Sequence, residues 1–204
     1  METNQFADFL RVLEFYKLKQ VPRNSSNQYF DVKDGLHYNR RETIAEHVQS
    51  CQKLADYFIF TEDEFKSLDR LRVHDLLSYH DDVEIITGDF GISEKSRRQD
   101  KKLLELEARL VLAQRLPHKL ARFYLDCDAE YREKVTDESK FANGIDKLDS
   151  LVHELQYPED WGPKGFNEVN LRKRFGPSFE YSVTFSSYFE NLITHLQNQN
   201  YFNK

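Results

Sequence analysis

Turn-forming residues are scarce in this chain. Its 204 residues include only 7 glycines and 5 prolines. A β-sandwich or a β-barrel joins many short strands through turns that are rich in these residues, so their scarcity argues against both folds. The composition therefore favours a helical protein.

The chain also has few cysteines, no long apolar run and no large excess of one charge. Cys51 and Cys127 fall in helical segments without metal-site spacing, which predicts two buried free thiols. No apolar run approaches the ~18 residues of a membrane span, and the first residues do not resemble a signal peptide, so we expect a cytoplasmic protein with no membrane partner. The 35 acidic and 29 basic residues are interspersed and give a formal net charge of −6. This balance provides no overall basic surface for nucleic acid.

Bulky apolar residues are abundant, and their spacing is helical. Hydrophobic residues make up 39% of the chain and include 16 Phe and 11 Tyr, enough for a core without disulfides. The most regular helix is predicted from about Asp137 to Gln156, where apolar residues recur at steps of four and three. We predict an all-α, single-domain helical bundle over residues 1–204, with a motif-bearing core at about 6–157 and a C-terminal helical extension at about 167–200.

Two capping boxes mark predicted helix starts, and a polar segment precedes the first of them. Thr43 with Glu46 and Thr61 with Glu64 both fit the Thr-x-x-Glu pattern that begins a helix. The polar segment 23–28 is predicted to be loop or turn. His47 lies on the apolar face of the helix after Thr43, a place where a histidine is more often a satisfied core residue than a ligand.

Two histidines and two aspartates are candidate ligands of one divalent cation. They are His47, the doublet His80-Asp81 at a predicted helix end, and Asp146 beside the apolar stripe of the regular helix. Facing helices can supply such ligands to a cation that serves hydrolysis. Two imidazoles with two carboxylates suit manganese, cobalt, iron or zinc better than calcium, with magnesium as a further option. A doublet alone is weak evidence, because the chain contains a second one, His74-Asp75.

The residues around the first doublet form a more specific pattern. Glu84 follows Asp81 by three residues, and Gly88-Asp89 follows Glu84 by four. With His47 in the context Thr43–His47 and Asp146 in the context Gly144–Leu148, this pattern resembles the HD-domain metal-dependent phosphohydrolases, in particular their 5′-deoxynucleotidase branch. The resemblance spans roughly Phe6 to Tyr157 and implies a bundle of the HD-domain type. His74-Asp75 has neither the glutamate nor the Gly-Asp and is therefore interpreted as a His-Asp pair that does not bind the metal.

The resemblance implies a role for each of these positions. The metal ligands would be His47, His80, Asp81 and Asp146. Glu84 would help to activate the attacking water, and Asp89 would act near the leaving group, although the two roles could be exchanged.

Substrate contacts follow from the same resemblance. Arg23 matches an arginine that grips the substrate phosphate, and Lys95 is a second candidate for that contact. The branch commonly has a tryptophan after this arginine, near the sugar, where the chain has Asn24-Ser25-Ser26. A preference for deoxyribose over ribose therefore stays open.

We predict a 5′-nucleotidase that releases phosphate from nucleoside 5′-monophosphates, a small-molecule substrate. His118 is the only histidine between the doublet and Asp146, which favours one metal over a two-iron site. A nucleoside triphosphohydrolase is the alternative, because the basic residues Lys95, Arg97 and Arg98 would suit a triphosphate. A non-enzymatic binding module with a structural metal is a further alternative. Dimers are usual in the resembled branch, so a homodimer is expected by analogy.

Overall fold

The fold is helical with one small hairpin, as the computed structural model shows. The described residues are 5–31, 37–89, 98–158, 161 and 165–203. The helices are α1 Gln5–Leu10, α2 Ile44–Thr61, α3 Arg70–Tyr79, α4 Glu84–Thr87, α5 Arg98–Arg115, α6 His118–Glu133, α7 Asp137–Glu154, α8 Glu168–Phe175 and α9 Val183–Asn198. Short 3-10 segments cover Arg11–Gln20, Asp63–Phe65, Gly176–Ser178 and Tyr201–Asn203, and the strands are β1 Pro22–Asp31 and β2 His37–Thr43. The all-α prediction is confirmed. None of the helices in these ranges is both long and apolar enough to cross a membrane.

The hairpin occupies the segment for which a loop was predicted. Strands β1 and β2 pair antiparallel, from Pro22 opposite Thr43 to Asp31 opposite His37, with an irregularity after Pro22. The expectation of a loop was wrong because the segment is polar throughout and lacks the alternation that signals a half-buried strand. Backbone pairing, which sequence pattern does not report, holds the two strands together.

The two capping boxes have different outcomes. The N–H of Thr43 donates to Glu46 Oε2 at 2.8 Å, and the N–H of Glu46 donates to Thr43 Oγ1 at 3.4 Å, so α2 begins as predicted. The second box is wrong, because α2 continues through Thr61, whose hydroxyl donates to the carbonyl of Tyr57. Helix α3 begins instead after Asp69, which accepts from two N–H groups of its first turn.

The first of two compact units is built from described residues within 1–49 and 78–132. It contains the hairpin, the first turns of α2, and helices α4 to α6. Its buried cluster consists of Leu112, Leu116 and Tyr124, against which Tyr79 packs. This cluster supports the chain on both sides of the His80-Asp81 doublet.

The second unit is built from described residues within 50–77 and 133–204. Its core is aromatic, with ring centroids of Phe65 and Phe141 4.7 Å apart and those of Phe58 and Phe185 5.1 Å apart. The regular helix is confirmed as α7, which Thr136 caps by accepting from the N–H of Ser139. Both cysteines are buried free thiols, as predicted. The single-domain organisation of residues 1–204 stays a prediction.

Candidate metal centre

His47 is held by the first turn of α2. The capping box fixes the start of this helix, and the N–H of Ile44 donates to the carbonyl of Val21 at 3.0 Å. Ile44 and His47, three residues apart on the same face, are both fully buried. The helix start thereby orients an imidazole into the interior of the first unit.

His80 and Asp81 lie in the tight turn between α3 and α4. The carbonyl of Asp81 accepts from the N–H of Glu84 at 2.9 Å, and the N–H of Gly88 donates to the carbonyl of Glu84 at 2.8 Å. Gly88 then adopts a φ of +71°, a left-handed value that glycine reaches without strain. These bonds make His80, Asp81, Glu84 and the following Gly88-Asp89 one continuous folded turn.

Three of the predicted metal ligands converge in the first unit. Nε2 of His80 lies 3.1 Å from Oδ2 of Asp81, and Nε2 of His47 lies 3.7 Å from the same oxygen. The two imidazole rings are 5.4 Å apart between centroids. Both histidine side chains are fully buried, whereas that of Asp81 is 23% exposed. Imidazole nitrogens and a carboxylate oxygen around one point are a donor set that fits a divalent transition cation.

Asp146 lies on α7 in the second unit. The residue is buried, and its Oδ2 accepts from Nζ of Lys147 at 2.7 Å. Its carbonyl accepts from the hydroxyl of Ser150 at 3.1 Å. The structure thus places this candidate in the helix expected for it, as a buried carboxylate beside an ammonium group.

The candidate catalytic acids follow the doublet. Glu84 is the first residue of α4, Asp89 comes directly after Gly88, and both are half-buried. Both residues thus belong to the turn that carries His80 and Asp81, and Oε2 of Glu84 is buried there.

Arg23 is held by an acid that the sequence analysis did not identify. Its Nη1 donates to Oε2 of Glu42 at 3.2 Å, and the two side chains are only 12% and 3% exposed. The pairing of Pro22 with Thr43 makes Arg23 and Glu42 neighbours across the hairpin. The sequence analysis did not identify Glu42 as the partner of Arg23 because it predicted a loop where the hairpin lies. Lys95 lies outside the described residues.

The sequence analysis also did not identify three residues near the His80-Asp81 doublet: Tyr131, Asp128 and Asp82. The ring of Tyr131 contacts that of His80, with centroids 5.1 Å apart. On the same helix, Asp128 accepts from Nε of Arg109 and from Nε of Arg132, each at 2.7 Å. The described structure gives Asp82, next to the doublet, no hydrogen-bond partner for either buried carboxyl oxygen. Burial raises its pKa well above the ordinary value, and Asp81 and Asp128 add to that rise while His80 opposes it.

The second His-Asp doublet has a structural explanation. Nε2 of His74 lies 2.7 Å from Oδ1 of Asp56, and Arg70 donates to both oxygens of the same carboxylate. His74 therefore contributes to a hydrogen-bond network between α2 and α3. This arrangement supports the interpretation that His74-Asp75 does not bind the metal.

Comparisons with known proteins identify the family. The HD domain family model matches residues 15–179. Relatives named 5′-deoxynucleotidase HDDC2 include one from Xenopus laevis, 29% identical over 72% of this chain and 70% of its own, and one from Bos taurus, 28% identical over 74% and 67%. A crystal structure of a predicted metal-dependent phosphohydrolase from Magnetospirillum magnetotacticum superposes with a TM-score of 0.80 at 28% identity, over 100% of this chain and 97% of that one. The PH0347 protein from Pyrococcus horikoshii, at 21% identity and a TM-score of 0.60, covers 92% and 97% and shares the fold.

Proposed function

Because the chain belongs to the HD domain family, we propose that it is a metal-dependent phosphohydrolase that releases inorganic phosphate from nucleoside 5′-monophosphates. The observation that carries this proposal is the convergence of His47, His80 and Asp81 around one point in the first unit. The 5′-deoxynucleotidase relatives support a nucleotide 5′-phosphate as the substrate.

The cation would be held by His47, His80 and Asp81 together with Asp146. Two observations support Asp146 as the fourth ligand: its carboxylate is buried, and it occupies the helix position that matches the family pattern. Manganese, cobalt, iron and zinc fit these ligands, and magnesium would be a weaker fit to imidazole. A bound cation supplies charge stabilisation to the phosphoryl oxygens and lowers the pKa of a coordinated water.

Glu84 and Asp89 would move the protons. Glu84 accepts a proton from the attacking water, and Asp89 holds a proton near the departing 5′ oxygen of the nucleoside. Their place in the turn that carries His80 and Asp81 supports these roles, because a general acid or base must lie within reach of the reacting group.

Arg23 would bind the substrate phosphate. Its pairing with the buried Glu42 supports this role, because a guanidinium held in one orientation loses little freedom when it binds an anion. Lys95 remains a second candidate for the same contact.

We also propose that the protein is a cytoplasmic homodimer with no nucleic-acid partner. Exposed apolar side chains near the N-terminus support self-association, since Phe6, Phe9 and Leu13 are all more than half exposed. The negative net charge of −6 argues against binding to a nucleic-acid backbone.

Release of inorganic phosphate tests the proposed activity. The protein is assayed with manganese or cobalt against nucleoside 5′-monophosphates and the corresponding triphosphates. We expect phosphate from the monophosphates, and Glu84→Gln should lower kcat about 10² to 10⁴-fold, the usual effect of removing a general acid or base, while the metal content stays unchanged. Glu107→Gln, an exposed residue of α5, is the matched control and should retain full activity.

Three results would contradict the proposal. Absence of phosphate release from every nucleotide would overturn the activity. Release from triphosphates alone would replace a 5′-nucleotidase with a triphosphohydrolase. Normal turnover by Glu84→Gln would remove Glu84 from the reaction.

A further inference from the structure

The imidazole of His80 contacts the rings of two other residues. The ring of His47 lies 5.4 Å away between centroids, and the ring of Tyr131 lies 5.1 Å away at an interplanar angle of 50°. Aromatic rings attract one another at centroid separations of about 4.5 to 7 Å. His47 is itself a candidate ligand, whereas Tyr131 is not, so the tyrosine ring can hold the imidazole without taking a place at the cation.

The orientation of the His80 ring decides whether this residue can bind a cation. Its Nε2 lies 3.1 Å from Oδ2 of Asp81, and the same oxygen lies 3.7 Å from Nε2 of His47. Rotation about the Cβ–Cγ bond would carry Nε2 away from this point, and the intrinsic preference of that bond is broad. Because the His80 side chain is fully buried, contacts with neighbouring side chains restrict the rotation.

Tyr131 lies one turn after a buried ion pair that joins α6 to α5. Asp128 precedes Tyr131 by three residues, so the two side chains are neighbours on the helix surface. Oδ1 of Asp128 accepts from Nε of Arg109 on α5, and Oδ2 accepts from Nε of Arg132, each at 2.7 Å. The side chains of Asp128 and Arg109 are only 3% and 9% exposed. Such short charge-assisted bonds fix this part of α6 and thereby keep the tyrosine ring against His80.

We propose that Tyr131 is a positioning residue that holds the imidazole of His80 in its metal-binding orientation, and that the Asp128–Arg109 pair keeps Tyr131 in place. This inference rests on the proposed function only in taking His80 as a metal ligand. A residue that orients a metal ligand without touching the metal typically contributes about 10- to 100-fold to metal affinity.

Manganese affinity tests the role of Tyr131 without turnover. Isothermal titration of Tyr131→Leu should give a Kd about 10- to 100-fold weaker than that of the wild type. Tyr131→Phe keeps the ring and should stay near the wild-type Kd. Tyr181→Leu is the matched control, because it removes a tyrosine ring that contacts Phe185 in the second unit, 6.0 Å away between centroids. It should bind manganese normally.

The visible absorption of bound cobalt separates positioning from a purely structural role, because this spectrum depends on the geometry of the ligands. The spectrum of cobalt-loaded Tyr131→Leu should differ from that of the wild type, and the spectrum of Tyr131→Phe should not. A lower urea midpoint of Tyr131→Leu with an unchanged spectrum and an unchanged manganese Kd would overturn the proposal. An equal loss of affinity in Tyr131→Phe or in Tyr181→Leu would overturn it as well.

A double-mutant cycle tests the contribution of Asp128. Asp128→Asn keeps the shape of the side chain and should weaken manganese binding, but it should add little to the loss in Tyr131→Leu, because both residues act through one contact. Additive losses would show that Asp128 does not act through Tyr131. If Asp128→Asn does not fold, Arg132→Gln takes its place in the cycle, since it removes one of the two donors at an exposed residue.

These outcomes are distinguishable from a failure of the proposed activity. Manganese binding that depends on Tyr131, in a protein that hydrolyses no nucleotide, would support the positioning role and refute the activity. An active enzyme whose Tyr131→Leu variant binds manganese like the wild type, with the same cobalt spectrum, would overturn the role and leave the activity standing. A wild type that binds neither cation would contradict the role and the metal centre together.

Discussion

Two histidines, His47 and His74, lie on successive helices and differ in their partners. His74 is half-buried and contacts Asp56, which Arg70 also binds. His47 is fully buried and faces the carboxylate of Asp81, beside the ring of His80. Helical spacing alone would not distinguish them. In the sequence, the glutamate and the Gly-Asp after His80-Asp81 distinguished that doublet from His74-Asp75, and the context Thr43–His47 singled out His47.

The carboxylate of Asp56 provides a pH-dependent prediction. Its hydrogen bonds with Arg70, opposed by desolvation and assisted by His74, lower its pKa to about 2. A lowered pKa stabilises the folded state fully above the ordinary pKa of about 4, and this contribution is lost as the pH falls towards 2. Asp56→Asn should therefore lower the free energy of unfolding by about 1 kcal/mol at pH 6, since the pair is partly exposed. The difference from wild type should shrink between pH 4 and pH 2.

Urea unfolding at pH 6, 4 and 3 measures this difference. Asp63→Asn is the control, because Asp63 is 96% exposed in its pair with Lys66 and should matter little at any of these values. A deficit of Asp56→Asn that is equally large at pH 3 and pH 6 would show that the lowered pKa is not the source.

Other single residues were beyond sequence reasoning. Glu42 becomes a partner of Arg23 only through the hairpin register, and Asp82 becomes a buried carboxyl only through the turn after α3. Side chains of these types are usually exposed, and nothing in the local spacing marks them as buried. Their roles depend on contacts with residues far away in the chain.

At the scale of helices and strands, sequence patterns predicted the elements that are stabilised by interactions between residues close together in the chain. The capping box at Thr43 and the regular stripe of α7 both yielded the observed elements. The box at Thr61 failed because its glutamate has another partner: Glu64 accepts from the N–H groups of Val183 and Thr184 at the start of α9. A capping residue can thus serve a helix that is distant in sequence, which a four-residue pattern does not reveal.

Close packing of α7 against α9 provides a prediction at this scale. A Cβ atom on Gly144 would lie 2.5 Å and 2.8 Å from two ring carbons of the buried Phe185. Overpacking of this kind costs about 1 to 3 kcal/mol, which should exceed the gain of about 1 kcal/mol from alanine in a helix. Gly144→Ala should therefore lower the free energy of unfolding in a denaturant titration.

Gly176→Ala is the matched control for this packing. An added Cβ at Gly176 would be 4.0 Å from the ring of Phe189, an ordinary contact. Its stability should stay within about 0.5 kcal/mol of wild type. A Gly144→Ala variant as stable as Gly176→Ala would contradict the close approach of α7 to Phe185.

At the scale of the whole molecule, the fold class followed from composition, since few glycines and prolines left little choice but helices. The composition did not predict how the candidate metal ligands are divided between the two compact units. His47, His80 and Asp81 belong to the first compact unit, and Asp146 belongs to the second. A cation that binds the folded chain and not the unfolded one would also stabilise the fold by its binding energy.

Metal binding to the wild type and to Asp146→Asn measures this claim most directly. Titration with manganese should give one equivalent per chain for the wild type, and for Asp137→Asn, an exposed residue at the start of α7. Asp146→Asn should bind about a hundredfold more weakly, since losing a ligand should cost at least as much as losing a residue that orients one. A wild type that binds no metal, or an Asp146→Asn protein that binds one equivalent with wild-type affinity, would contradict the four-ligand centre.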